Sequence, residues 1–125
     1  MRYSLLLLAA LACSCSQPNA RQDLLASTAL ILKEGFAAGP APLRYNPVDC
    51  ECPPFEARTG ERWVRVMLAP SEDPESAAAV LLDKARSDWE DGRVATYRVP
   101  LDLDSSSARF CGNGTPFFDV ELQEE

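Results

Sequence analysis

Residues 61–92 read ERWVRVMLAPSEDPESAAAVLLDKARSDWEDG, and a change of rhythm inside this stretch decides the fold. Val64, Val66 and Leu68 alternate with Trp63, Arg65 and Met67, the two-residue period of a strand buried on one face. Pro70 ends that run, and beyond it the period lengthens. Ala78, Leu81, Leu82, Ala85 and Trp89 recur at helical spacing. Asp73 is the expected N-cap, Pro74 fits the first helical position where no N–H is needed, and Gly92 is the expected C-cap. Lys84 with Asp88, and Asp83 with Arg86, fall on the side expected to face solvent. A half-buried strand followed by a helix with one apolar stripe specifies a helix laid on a sheet.

Working outward, Thr59-Gly60 separates PFEAR from ERWVRVML and predicts a hairpin. Leu43–Cys52 and Pro54–Arg58 read as extended, with Pro47, Pro53 and Pro54 at strand ends because proline cannot donate to a ladder. On the far side, Ala95, Tyr97, Val99 and Leu101 alternate with polar neighbours, predicting a strand over 93–103. Asp104–Ser107 breaks it, and Asn113-Gly114 predicts a tight turn between 108–111 and 116–122. Upstream, Leu24–Phe36 is nearly continuous in apolar residues; its first half fits a short helix, while Thr28–Lys33 is read as a buried strand, the preferred reading. Strands grouped before and after one helix argue for an α+β fold: a small, mostly antiparallel sheet with one main helix packed on it. The order β-β-β-α-β-β also matches an OB-like barrel, which is the alternative.

The first residues differ in kind from the rest. Arg2 precedes Leu5–Ala12, an uncharged apolar run closed by small residues, which has the form of an export signal. It is shorter than the roughly 20 apolar residues that a membrane-spanning helix needs. The run ends Ala10-Leu11-Ala12-Cys13. This stretch resembles the lipobox of bacterial lipoproteins, in which a small residue before a cysteine marks cleavage and the cysteine sulfur takes the lipid. The resemblance covers the leader alone and implies that Cys13, with Cys15 as the alternative, carries fatty acyl chains of the palmitate kind. Several such chains hold a protein at a membrane without a transmembrane segment, since each buried methylene contributes about 0.8 kcal/mol.

Residues 1–12 are thus the expected signal peptide, 13–23 a flexible polar tether, and 24–125 one small domain. Ser14 stands where the family's inner-membrane retention signal is typically an aspartate, so the resemblance implies the outer membrane, with the domain facing the periplasm or the cell surface.

The composition excludes several function classes. Nineteen acidic residues against 12 basic ones give a net charge of −7, and the arginines are dispersed along the sequence, so neither nucleic acid nor anionic head groups are expected partners. The expected partners are the membrane, through the covalent lipid, and an envelope protein; no cofactor or small-molecule ligand is expected. The chain has no histidine, which removes Ser-His-Asp and Cys-His catalysis and the commonest metal ligand. The carboxylate pairs Asp102/Asp104 and Glu56/Glu61 carry no spacing that demands acid–base work, and no enzyme is expected.

The cysteines are more informative. With Cys13 lipidated, Cys15, Cys50, Cys52 and Cys111 remain. The expected bond is one disulfide from Cys111 to Cys50 or Cys52, as an oxidising compartment allows. The alternative is a thiol-based copper, zinc or redox site built from Cys50, Cys52 and Cys111. Trp63, flanked by Arg62 and Arg65, is either a core residue or the centre of an exposed binding patch. The functional expectation is therefore a lipid-anchored structural or protein-binding module of the envelope.

Overall fold

The β2–β3 hairpin forms where the two sequence runs meet. Strand β2 (Phe55–Thr59) pairs antiparallel with β3 (Arg62–Leu68), from Phe55 opposite Val66 to Thr59 opposite Arg62. Gly60 takes φ +60° at the first position of the two-residue turn, a conformation glycine adopts without steric cost. The computed structural model describes the backbone of residues 2–48 and 51–123, and the side chains of residues 20–48 and 51–123.

Among the described residues, seven strands around this hairpin form one mostly antiparallel open sheet, and two α-helices complete an α+β fold. β1 (Ala41–Tyr45) lies beside β2. β4 (Thr96–Val99) pairs with β1, β5 (Leu101–Leu103) pairs with β7 (Pro116–Leu122), and the short β6 (Arg109–Phe110) also pairs with β7. The neighbour order is β4-β1-β2-β3-β7-β5, with β3 and β7 parallel.

The expected strand over 93–103 is two strands broken at Pro100, whose missing N–H interrupts the ladder. These two halves of one bent segment stand at opposite ends of the neighbour order. If that bent strand is counted once and β6 is set aside, the chain runs through three strands, α2 and two strands, the order that the OB-type alternative requires.

Helix α2 (Ala77–Glu90) starts later than Asp73. Ser76 is its N-cap, accepting from the Ala79 N–H at 3.2 Å, while the Asp73 carboxylate accepts from the Glu75 N–H in the preceding turn. At the other end Gly92, at φ +78°, donates to the Trp89 carbonyl and Arg93 N–H donates to the Asp88 carbonyl, the paired bonds of a Schellman ending. Leu81 and Ala85 are buried as expected, but Trp89 is 37 % exposed and stacks on Tyr45. Asp88, read as solvated, is buried, and its carboxylate takes the Tyr97 hydroxyl at 2.6 Å and the Lys84 ammonium at 3.3 Å. Two partners offset the cost of removing this charge from water.

The strand expected over Thr28–Lys33 is instead the end of helix α1 (Arg2–Ala37). Thr28, Leu32 and Phe36 are buried at intervals of four, while Leu24, Leu30 and Ile31 are exposed, so a continuous apolar run here serves one helical face. The expected flexible tether, residues 13–23, has helical backbone within α1, and residues 20–23 are exposed. Leu32 and Phe36 join Leu43, Phe55, Val66, Leu81, Phe118 and Val120 in the core. Each fully buried side chain of this size contributes about 1.5–3 kcal/mol. The helix comes so close to β2 that a Cβ on Gly35 would stand 2.6 Å from the Thr59 methyl carbon.

Candidate functional site

Alternation along each strand sends one set of side chains to the core and the other to the outer surface. The register assembles that outer set. Arg44 lies opposite Thr96 on β4 and Glu56 on β2, Glu56 lies opposite Arg65, Arg65 opposite Phe117, and Phe117 opposite Arg109 on β6. One step along the strands, Arg98 faces Pro42 and Arg58 faces Trp63. Arginines dispersed in the sequence thus meet on one face, and the expectation of scattered basic charge is corrected by pairing that no sequence spacing reveals.

Glu56 is the hub of this face. Arg44 Nε donates to its Oε1 at 2.9 Å, Asn46 Nδ2 donates to the same oxygen at 3.0 Å, and Arg65 Nε stands 3.8 Å from Oε2. Burial pushes the Glu56 carboxyl up, but the hydrogen bonds from Arg44 and Asn46 and the charges of Arg65 and Arg44 together outweigh it and hold the group below its ordinary value. Glu56 is therefore an ionised tie rather than a proton donor or acceptor. Glu61, its proposed partner in acid–base work, sits in the exposed hairpin turn.

The three residues of the expected patch have different fates. Arg65 is turned into the structure, with Nη1 donating to the Asn46 carbonyl at 2.6 Å and the Pro53 carbonyl at 3.1 Å, so it clamps the β1–β2 connection. Trp63 is half-buried and the Arg44 guanidinium lies 4.0 Å above its ring. Arg62 is exposed. Together with Thr28, Glu56 and Pro116 these three line a groove of about 310 Å³ where α1 passes the starts of β3 and β7. Arg109 likewise covers Phe117 at 4.2 Å while donating to Asp119 at 2.9 Å.

The disulfide joins Cys52 to Cys111, one of the two pairings the sequence left open. It packs on Phe117 and ties the β1–β2 connection to the turn after β6. Cys50 and the side chains of Cys13, Cys15 and the leader lie outside the described residues. The bond occupies two of the three sulfurs that a thiolate metal or redox site would use. No cluster of three metal-ligating side chains is present among the described residues.

A larger groove of about 460 Å³ lies on the β5–β7 flank and is lined by Met67, Asp102, Asp104, Asp119 and Glu121. Asp102 and Asp104 do share this wall, but the Asp104 carboxylate accepts from Ser106 N–H and Ser106 Oγ and caps the short 3₁₀ turn Ser105–Ser107. The outer surface is thus divided, basic over β4-β1-β2-β3 and acidic over β7-β5. No helix among the described residues is long and apolar enough to cross a membrane. The chain matches no protein-family model, no curated protein and no solved structure.

Proposed function

We propose that the chain is a lipid-anchored protein of the bacterial envelope, held through Cys13 or alternatively Cys15, whose folded part binds a protein partner with the outer face of β4-β1-β2-β3. Support for the anchor comes from the leader residues, where Leu5–Ala12 runs into Cys13. The observation that carries the binding role is the surface around Trp63. It gathers Arg58 and Arg98 in exposed positions on a chain whose net charge is −7.

Two measurements test this reading. The intact mass of the chain extracted from membranes should exceed that of the polypeptide by several acyl chains, and Cys13→Ser should abolish the increment and release the protein from the membrane. A photoreactive side chain at position 63 should crosslink a discrete envelope protein in living cells. A bare polypeptide mass, or position 63 crosslinking nothing while exposed position 94 does, overturns the corresponding half. The thiol-based metal or redox alternative requires the 52–111 bond to be open in the native protein, and titration of free thiols without reductant decides it.

A further inference from the structure

Resting on the reading of this domain as a protein-binding module, we propose that its partner offers a short acidic polypeptide segment, laid across β4, β1, β2 and β3 and gripped through its carboxylates by Arg98 and Arg58. Charge is the first reason. The outward positions of these four strands include Arg98, Arg44, Arg58 and Arg65 and a single carboxylate, Glu56, which leaves three positive charges in excess on an otherwise acidic chain. Glu56 is already engaged, whereas Arg98 forms no ion pair or side-chain hydrogen bond among the described residues, and Arg58 forms no ion pair among them and donates its Nε to the Gly60 carbonyl. Free guanidinium groups present a planar fork of donors that matches a carboxylate.

The aromatic rings give the second reason. A surface that stacks sugars or bases needs an open ring face. Here Arg44 lies 4.0 Å over Trp63 and Arg109 lies 4.2 Å over Phe117, so the face offered outward is guanidinium rather than ring. A third reason is extent. Four strands spaced about 4.8 Å apart span roughly 14 Å, the length of four or five extended residues. A long, uniformly anionic polymer would run on over the Asp102–Glu121 flank and be repelled there, whereas a short acidic segment meets the basic patch alone.

The test uses the full-length chain in detergent with fluorescent oligoglutamate as the probe, and oligolysine, polygalacturonate and polyphosphate as comparators. Oligoglutamate should bind saturably, more weakly as salt rises, and about tenfold more weakly to Arg58→Glu/Arg98→Glu. Both positions are exposed and form no ion pair among the described residues, and an unchanged melting curve verifies the fold. Oligolysine should gain affinity for that same variant, a result that misfolding would not give. Glu121→Lys, on the opposite flank, should leave oligoglutamate binding unchanged or stronger. Binding of polygalacturonate or polyphosphate without oligoglutamate, or oligoglutamate binding indifferent to the double reversal, overturns the proposal. If position 63 crosslinks a partner while oligoglutamate fails to bind, the acidic segment is refuted and the binding module stands; if it crosslinks none, the module itself falls.

Discussion

Gly35→Ala sets two effects of known size against each other. Gly35 lies in the last turn of α1, where an alanine is favoured over glycine by at most the helix-interior value of about 0.8–1.0 kcal/mol, so an isolated helix would gain. In this protein the added carbon would stand 2.6 Å from the Thr59 methyl and 3.2 Å from its Cβ, both far inside ordinary contact. Thr59 is buried and its β-branched side chain is stiff, so it cannot swing clear into solvent. Overpacking of this kind costs about 1–3 kcal/mol, and the substitution should lower stability by up to about 2 kcal/mol net.

The companion change tests the cause. Thr59 Oγ1 is buried with no hydrogen-bond partner among the described residues, so Thr59→Ala removes both the clashing methyl and an unsatisfied hydroxyl. Chemical denaturation followed by circular dichroism should give a coupling energy of about 1 kcal/mol or more between the two changes, with Gly35→Ala/Thr59→Ala more stable than Gly35→Ala. A stabilising single Gly35→Ala, or additive effects, would refute the close docking of α1 on β2.

Three further outcomes follow from the same structure. Cys52→Ser/Cys111→Ser opens a loop with a sequence separation of 59 and should cost about 4 kcal/mol in the chain-entropy model, read as a lower denaturation midpoint. Glu56→Ala should cost about 3 kcal/mol, near the low end for breaking a buried pair because the Arg44 side chain keeps 31 % of its surface in water. Because the folded carboxyl is held below its ordinary value of 4.5, the Glu56 contribution is fully present above that pH and is lost as pH falls through the folded value; Glu56→Gln should flatten the acid limb of a stability–pH curve. Tyr97 is pushed up to about 12 by burial and by the Asp88 carboxylate that accepts its hydrogen bond, so its contribution is complete below pH 10 and disappears as pH rises towards 12. Tyr97→Phe should remove that alkaline loss, and the tyrosinate absorbance of the parent chain should show one late-titrating ring.

The elements written in short-range rhythm were legible in the sequence. Val64 and Val66 on one face of β3, the Gly60 turn and the Leu81–Ala85 stripe of α2 each follow from spacing over a few residues. Thr28–Lys33 was misread because a run that is apolar almost throughout satisfies strand and helix templates alike; only Leu32 and Thr28 meeting the core, with Leu30 and Ile31 left outside, distinguishes them. The helix start moved from Asp73 to Ser76 because both residues cap, one a turn and the other the helix. Asp88 looked solvated because its partner Tyr97 lies on a different element.

The candidate site was legible only as Trp63 with flanking arginines. Its substance depends on register, which brings Arg98 and Arg58 to either side of β1 although 40 residues separate them in the chain. Cys52 and Cys50 were indistinguishable as partners of Cys111 for the same reason. Non-local pairing decides both, and spacing within one segment carries no information about it.

The bend at Pro100 has a consequence for life at a crowded surface. Because one segment supplies both terminal strands, the unpaired backbone along β4 and β5 is only four and three residues long respectively. Such stubs give an incoming chain too little template for β-augmentation, and the exposed Arg98 and Asp102 on them disfavour it further. Copies of the chain brought close together, as the proposed lipid anchor would bring them, would therefore be kept from fusing edge to edge.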